Sequence, residues 1–107
     1  MIPGANRHLL ICNGKKCMQK GAAELTTAIR KELIKANLNK KVFTSRTFCN
    51  GECSSGCIVI SYPDGNWYGN VDEDNSIDII NSLVDDKIDV DTDILYTFEK
   101  KQFLEMD

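Results

Sequence analysis

The sequence predicts a single α/β domain in which a βαβ unit is followed by a β-hairpin and a helix, and three observations carry that expectation. Apolar runs of strand length stand at residues 7–12, 42–48 and 57–62, each bounded by turn-forming residues. Between the first two, apolar residues recur at every third or fourth position, the period of one helix face. A chain of 107 residues has the size of one domain, burying about two-thirds of the surface its unfolded form exposes.

Arg7-His-Leu-Leu-Ile-Cys12 reads as a buried strand that enters a Cys-Asn-Gly turn. From Met18 to Leu38, residues Met18, Ala22, Leu25, Ile29, Leu33 and Ala36 mark the apolar stripe of a helix, with Glu24, Arg30, Lys31 and Lys35 on other faces. Asn37 to Lys41 ends it with turn-forming residues. Val42-Phe-Thr-Ser-Arg-Thr-Phe48 is β-branched and aromatic, hence a strand. Strand, helix and strand with short connections make a parallel pair.

Cys57 to Tyr62 is the third strand, apolar on both faces. Tyr62-Pro63-Asp64-Gly65 supplies a type I turn, and Asn66 to Val71 returns as a hairpin. Asp72 to Ser76 has the acidic and small polar residues of a helix start, and Ile77, Ile80, Leu83 and Val84 continue an amphipathic helix. Beyond Lys87 the pattern weakens. Ile88 to Asp93 alternates apolar and acidic residues, Ile94-Leu-Tyr96 suggests a short edge strand, and Phe98 to Met106 reads as a frayed helix or loose tail. The domain is thus expected to have its core at about residues 7–96 and a tail at 97–107. The order βαβ then ββα is that of a thioredoxin-like sandwich.

The net charge of −3 hides a segregation: residues 1–53 carry ten Lys/Arg against three Glu, and residues 54–107 three Lys against thirteen Asp/Glu. A nucleic-acid surface is not the expected meaning, because the basic residues lack aromatic interleaving. No apolar run approaches the roughly 20 residues of a membrane span. The N-terminal residues lack both a basic region and a long apolar core, so no secretory signal is expected and the address is cytoplasmic, where thiols stay reduced. Five cysteines do not suit a closed disulfide framework, and in a reducing compartment they point to metal binding or catalysis.

The cysteines fall in two loops. Cys12 and Cys17 enclose four residues, Cys49 and Cys53 enclose three, and Cys57 follows at the start of the third strand. Zinc knuckles are tighter and plant-type ferredoxin loops are spaced differently. The combination of Cys12-x4-Cys17-Met18, Cys49-x-Gly51-x-Cys53 and the hairpin Tyr62-Pro63-Asp64-Gly65-x-Trp67-Tyr68 resembles the thioredoxin-like [2Fe-2S] ferredoxin family, over roughly residues 7–85. The resemblance implies that Cys12, Cys17, Cys49 and Cys53 ligate a [2Fe-2S] cluster, that redox proteins are the partners, and that a homodimer is plausible. Family members place a Gly-Pro pair where this chain has Gly56-Cys57, which leaves Cys57 as the alternate ligand candidate.

The chemistry agrees with that assignment. Soft iron favours thiolate sulfur, and the anionic cluster gains a further negative charge on reduction, so cations and N–H dipoles near the loops favour the reduced form. Lys15, Lys16 and the amides of Gly14, Gly51 and Gly56 are the candidates, with Met18 and Phe48 as apolar shielding. Each also has a plainer reading. Cys57 reads as a packed thiol, His8 as a strand-start packing residue, and Tyr62, Trp67 and Tyr68 as hairpin packing rather than an electron path. The acidic run after Asp72 reads as a solvated face, or as a docking face for a basic partner. The expected function is one-electron transfer between proteins with no substrate turned over. A cluster-based redox or iron sensor, a structural zinc module on the same thiolates, and a thiol-disulfide oxidoreductase are the alternatives. The last lacks the usual Cys-x-x-Cys at its first helix.

Overall fold

The computed structural model describes residues 3–83 and 93–105, and of Cys53 and Asp93 the backbone alone. Strand β1 (Arg7–Cys12) lies parallel to β2 (Val42–Thr47), with Leu9 opposite Thr44 and Cys12 opposite Thr47. Helices α1 (Lys15–Gln19) and α2 (Ala22–Lys35) make the crossover. Strand β3 (Val59–Tyr62) runs antiparallel on the other side of β1 and turns into β4 (Asn66–Gly69). Helix α3 (Glu73–Ser82) follows, then β5 (Asp93–Glu99) and β6 (Gln102–Glu105), giving a six-stranded sheet in the order β2-β1-β3-β4-β5-β6.

One helical layer lies against one face of the sheet. Helix α2 rests on β1 and β2, and α3 packs beside α2. Alternation along β1 sends Leu9 and Ile11 into that interface, where they are fully buried with Leu25, Ile29 and Leu33 of α2 and Ile79 and Ile80 of α3. Each such side chain contributes about 1.5–3 kcal/mol through its burial. Leu10, Ile60 and Trp67 share the opposite face, as their pairing across β1, β3 and β4 requires. Tyr68 is core, Trp67 packs edge-on to Tyr96 at 5.5 Å, and Tyr62 is exposed. His8 meets Ser45 Oγ at 2.8 Å through Nε2 and lies edge-on to Phe43.

The expected helix from Met18 to Leu38 is two helices. Gly21 breaks it with φ +95°, a left-handed conformation that glycine adopts without a Cβ penalty. The break turns the chain so that α1 carries Cys17 inward. The far end is a Schellman motif, with Leu38 N–H on Leu33 O (2.8 Å) and Asn37 N–H on Ile34 O (3.0 Å), Asn37 being left-handed at φ 59°. At the other helix start Asp72 caps α3: its carboxylate accepts from Asn75 N–H while Asn75 Oδ1 accepts from Asp72 N–H.

Three further expectations need correction. The turn at residues 62–65 is not type I: its Tyr62–Pro63 peptide is cis, and Gly65 N–H donates to Ser61 O at 2.6 Å. The longer ring is braced by Asp64, whose carboxylate accepts from the Ser61 hydroxyl and pairs with Arg7. The third strand begins at Val59 rather than Cys57, because the Cys57 carbonyl accepts from Val71 N–H outside the sheet ladder. The segment from Phe98 is neither helix nor loose tail. It forms most of a hairpin that closes at Lys100-Lys101, so α3 is not the last element. Val84 and residues 88–92 of the weak region lie outside the described residues.

Lys100 and Lys101 both have positive φ, 53° and 66°, the pair of values a two-residue type I′ hairpin loop demands. Lysine enters that region at a cost of about 1–2 kcal/mol per residue. Asparagine followed by glycine meets the same demand with little strain. The double variant Lys100→Asn with Lys101→Gly is therefore expected to unfold at higher denaturant with the slope unchanged, a gain of about 1–2 kcal/mol. A lower midpoint would show that the lysines stabilise the loop in another way.

Candidate metal centre

The two cysteine loops meet at the carboxyl ends of the parallel pair β1 and β2. Asn13 N–H donates to Thr47 O at 2.8 Å, which holds the first residue past β1 to the last residue of β2. Asn13 Nδ2 then reaches Ile11 O and Thr26 Oγ1, fixing the turn to helix α2. The Cys12 thiol lies 3.6 Å from Phe48 O, so the first loop touches the second at its own sulfur.

Gly14 seals the contact. A Cβ built there would stand 2.8 Å from Cys49 Cα and 2.9 Å from Cys49 N. Both are backbone atoms that have no rotamer with which to move away. The loops therefore approach at this distance because residue 14 has no side chain. Helix α1 starts at once, with Met18 N–H on Gly14 O, and its first buried residue is Cys17.

Cys12 and Cys17 are 2% and 1% exposed and lie against each other. Burial, first of all, and then the hydrogen bond and charge of Cys12 push the Cys17 thiol up to about 12, against a backbone hydrogen bond from Ile58 that lowers it. In the metal-free chain this sulfur keeps its proton at neutral pH, so a metal that takes it must displace that proton. Ile58 bridges both cysteines, since its carbonyl also accepts from Cys12 N–H at 3.0 Å.

The second loop is exposed. Cys49 Sγ accepts from Gly51 N–H at 3.3 Å, and the Asn50 amide donates to Thr47 Oγ1 and Phe48 O. Cys53–Ser55 is a single 3₁₀ turn, closed by Ser55 N–H on Glu52 O. Tyr96 of β5 donates its hydroxyl to Glu52 Oε1 at 2.7 Å, between the two cysteines of this loop. No sequence signal linked Tyr96 to the loop, because the pairing of β5 with β4 brings it there. The thiol of Cys57 is buried, 3% exposed, and faces two carbonyls, Cys17 O at 3.7 Å and Lys20 O at 3.6 Å.

Of the sequence-predicted residues, Cys12, Cys17 and Cys49 are brought to one end of the sheet, and the side chain of Cys53 lies outside the described residues. Among the described residues no group of three or more His, Cys, Asp or Glu side chains stands close enough to hold a metal ion by itself. The described thiols are free of disulfides, and a sulfur-only donor set suits iron–sulfur chemistry. Phe48 follows Thr47 at the end of β2. It stands in solvent, 92% exposed.

No family model matches the chain. A Priestia megaterium protein provisionally named a 2Fe-2S ferredoxin is 38% identical over 103 residues, covering 96% of this chain and 80% of that protein. This chain belongs to the 2Fe-2S ferredoxin family. The 2Fe-2S ferredoxin of Clostridium pasteurianum is 36% identical over 86 residues, 73% of this chain and 84% of that protein. A thioredoxin-like [2Fe-2S] ferredoxin from Aquifex aeolicus shares the fold, with a TM-score of 0.76 at 22% identity over 91% of this chain and 96% of that one. Within this ferredoxin fold the two cysteine loops occupy one end of the sheet, and among the described residues no helix is long and apolar enough to cross a membrane.

Proposed function

We propose that residues 1–107 act as one ferredoxin domain that holds a [2Fe-2S] cluster on Cys12, Cys17, Cys49 and Cys53 and passes single electrons between redox partner proteins in the cytoplasm, with no substrate turned over. The observation that carries the reading is the contact of Gly14 with Cys49, which sets the two cysteine loops against each other with no room for a side chain. When bound, the cluster supplies a one-electron couple. The chain's own part is to hold the sulfurs and offset their charge. Ile58 directs a backbone hydrogen bond to Cys17, and Gly51 N–H donates to Cys49 Sγ. Such bonds to sulfur favour thiolate and, with it, the more negative reduced state.

Cys57 has the opposite surroundings. Two carbonyl oxygens face it, and they suit a protonated thiol that donates weakly. It is accordingly read as a packing residue rather than a ligand. No observation favours the sensor, the zinc module or the thiol-disulfide enzyme. The partners in this reading are proteins, with neither nucleic acid nor membrane, and a second copy of the chain is among them.

Purified anaerobically, the protein is expected to be brown, to contain iron and acid-labile sulfide in equal amounts, and to give a spin-one-half paramagnetic signal once reduced. Colourless protein carrying stoichiometric zinc would overturn the reading.

A further inference from the structure

The outer rim of the cysteine loops carries side chains that cluster binding does not explain. Phe48, next to Cys49, is 92% exposed, and Met18, next to Cys17, is 45% exposed. With Asn13, Arg46 and Thr47 they line a shallow depression of about 410 Å³. Each belongs to a segment that also supplies a cysteine of the site, so the patch lies over the loops rather than elsewhere on the fold.

Three cations border it. Lys15 and Lys16 are exposed on α1, and Arg46 is exposed at the end of β2. Among the described residues, none of the three makes an ion pair. Lys20 reaches across to Ser54 O of the second loop at 3.4 Å. One carboxylate, Glu52, lies inside the second loop and accepts a hydrogen bond from Tyr96. Other carboxylates gather beyond Met18, where Glu24, Asp72 and Glu73 line a neighbouring hollow, and along α3. Lys15, Lys16 and Arg46 thus border the cysteine loops, whereas Arg7 and Lys41 lie at the opposite end of the parallel pair.

We infer that this rim is the docking face for an acidic redox protein, whose carboxylates meet Lys15, Lys16 and Arg46 around an apolar spot that receives Phe48 and Met18. An apolar centre inside a charged rim is the anatomy of a protein interface, and opposite charge on the two rims raises the encounter rate and sets the orientation. The inference rests on the electron-carrier reading and names the partner's chemistry. A single-stranded nucleic acid fits less well, since one exposed aromatic gives no stacking platform.

The test is carbodiimide cross-linking of the purified protein to flavodoxin, an acidic redox protein, and to cytochrome c, a basic one, at low ionic strength, with the linked residues mapped by mass spectrometry. Flavodoxin is expected to link at Lys15 and Lys16, with yield falling as salt is raised because charges separated by more than about 8–10 Å are screened at physiological salt. Lys15→Glu with Lys16→Glu is expected to reduce flavodoxin binding by about tenfold or more, as is Phe48→Ser separately, both with unchanged circular dichroism and visible spectrum. The salt series on the unaltered protein keeps the test decisive if either variant fails to fold. Cross-links to flavodoxin elsewhere, a salt-independent yield, or preferential occupation of the rim by cytochrome c, a second copy of the chain or an oligonucleotide would each overturn the proposal. Cross-linking needs no electron transfer, so a colourless protein that still links at Lys15 and Lys16 would sink the cluster reading alone, whereas a brown one that does not would sink the rim alone.

Discussion

Cys17→Ser is expected to cost the protein its visible absorption, whereas Cys57→Ser is expected to leave the spectrum nearly intact. The contrast is informative because burial does not distinguish the two: the residues are 1% and 3% exposed, and burial pushes both thiols upward. Their neighbours differ. Cys17 sulfur lies against Cys12, a second predicted ligand, while Cys57 sulfur faces the carbonyls of Cys17 and Lys20. Cluster content per folded chain, measured as iron and sulfide after anaerobic reconstitution, should fall by more than about a hundredfold in the first variant, beyond the loss typical of altering a supporting group. In Cys57→Ser the hydroxyl can donate to the same carbonyls, so little stability should be lost. If Cys57→Ser loses the cluster and Cys17→Ser keeps it, the ligand assignment is wrong.

Gly14→Ala is expected to be the most damaging change at a residue that is not a cysteine. The added methyl would lie 2.8 Å from Cys49 Cα, so one of the two loops must retreat. Overpacking of this kind typically costs about 1–3 kcal/mol. The larger consequence falls on the cysteines, because Cys12 and Cys17 flank Gly14 on one chain segment and Cys49 is the residue it presses against. The melting temperature should drop by several degrees, about 4–8 °C for each kcal/mol in a domain of this size. Cluster content should fall out of proportion, in protein whose far-ultraviolet spectrum is unchanged. Retention of a full cluster in the alanine variant would show that the loops are not held at this contact.

Much of this arrangement is legible in the sequence, and the legible part has a common cause. Arg7–Cys12, Val42–Thr47 and the α2 stripe of Leu25, Ile29 and Leu33 announce themselves because apolar residues recur at the period of the element that buries them. The capping residue Asp72 is read from local chemistry in the same way. Cys12, Cys17, Cys49 and Cys53 are singled out by the family resemblance that their two-loop spacing and the following hairpin carry. These are signals that one segment carries by itself.

What the sequence does not reveal depends on two segments at once. Lys100 and Lys101 form a hairpin loop without Asn or Gly, and beside the local pair of Phe103 on Phe98 at 4.9 Å the hairpin is held by a distant residue, Trp67, 6.2 Å from Phe103. Tyr96 reaches Glu52 only because β5 joins the sheet beside β4. Phe48 is exposed to solvent although the strand before it is mostly part-buried. By itself the sequence determined the α/β class, the parallel pair and the two cysteine loops. The tertiary structure alone decided that Gly14 sets those loops against each other, that two further strands join the sheet beyond β4, and that Arg46 stands beside the loops with Lys15 and Lys16. Each of these is a contact between residues far apart in the chain, and no local period or propensity records such a contact.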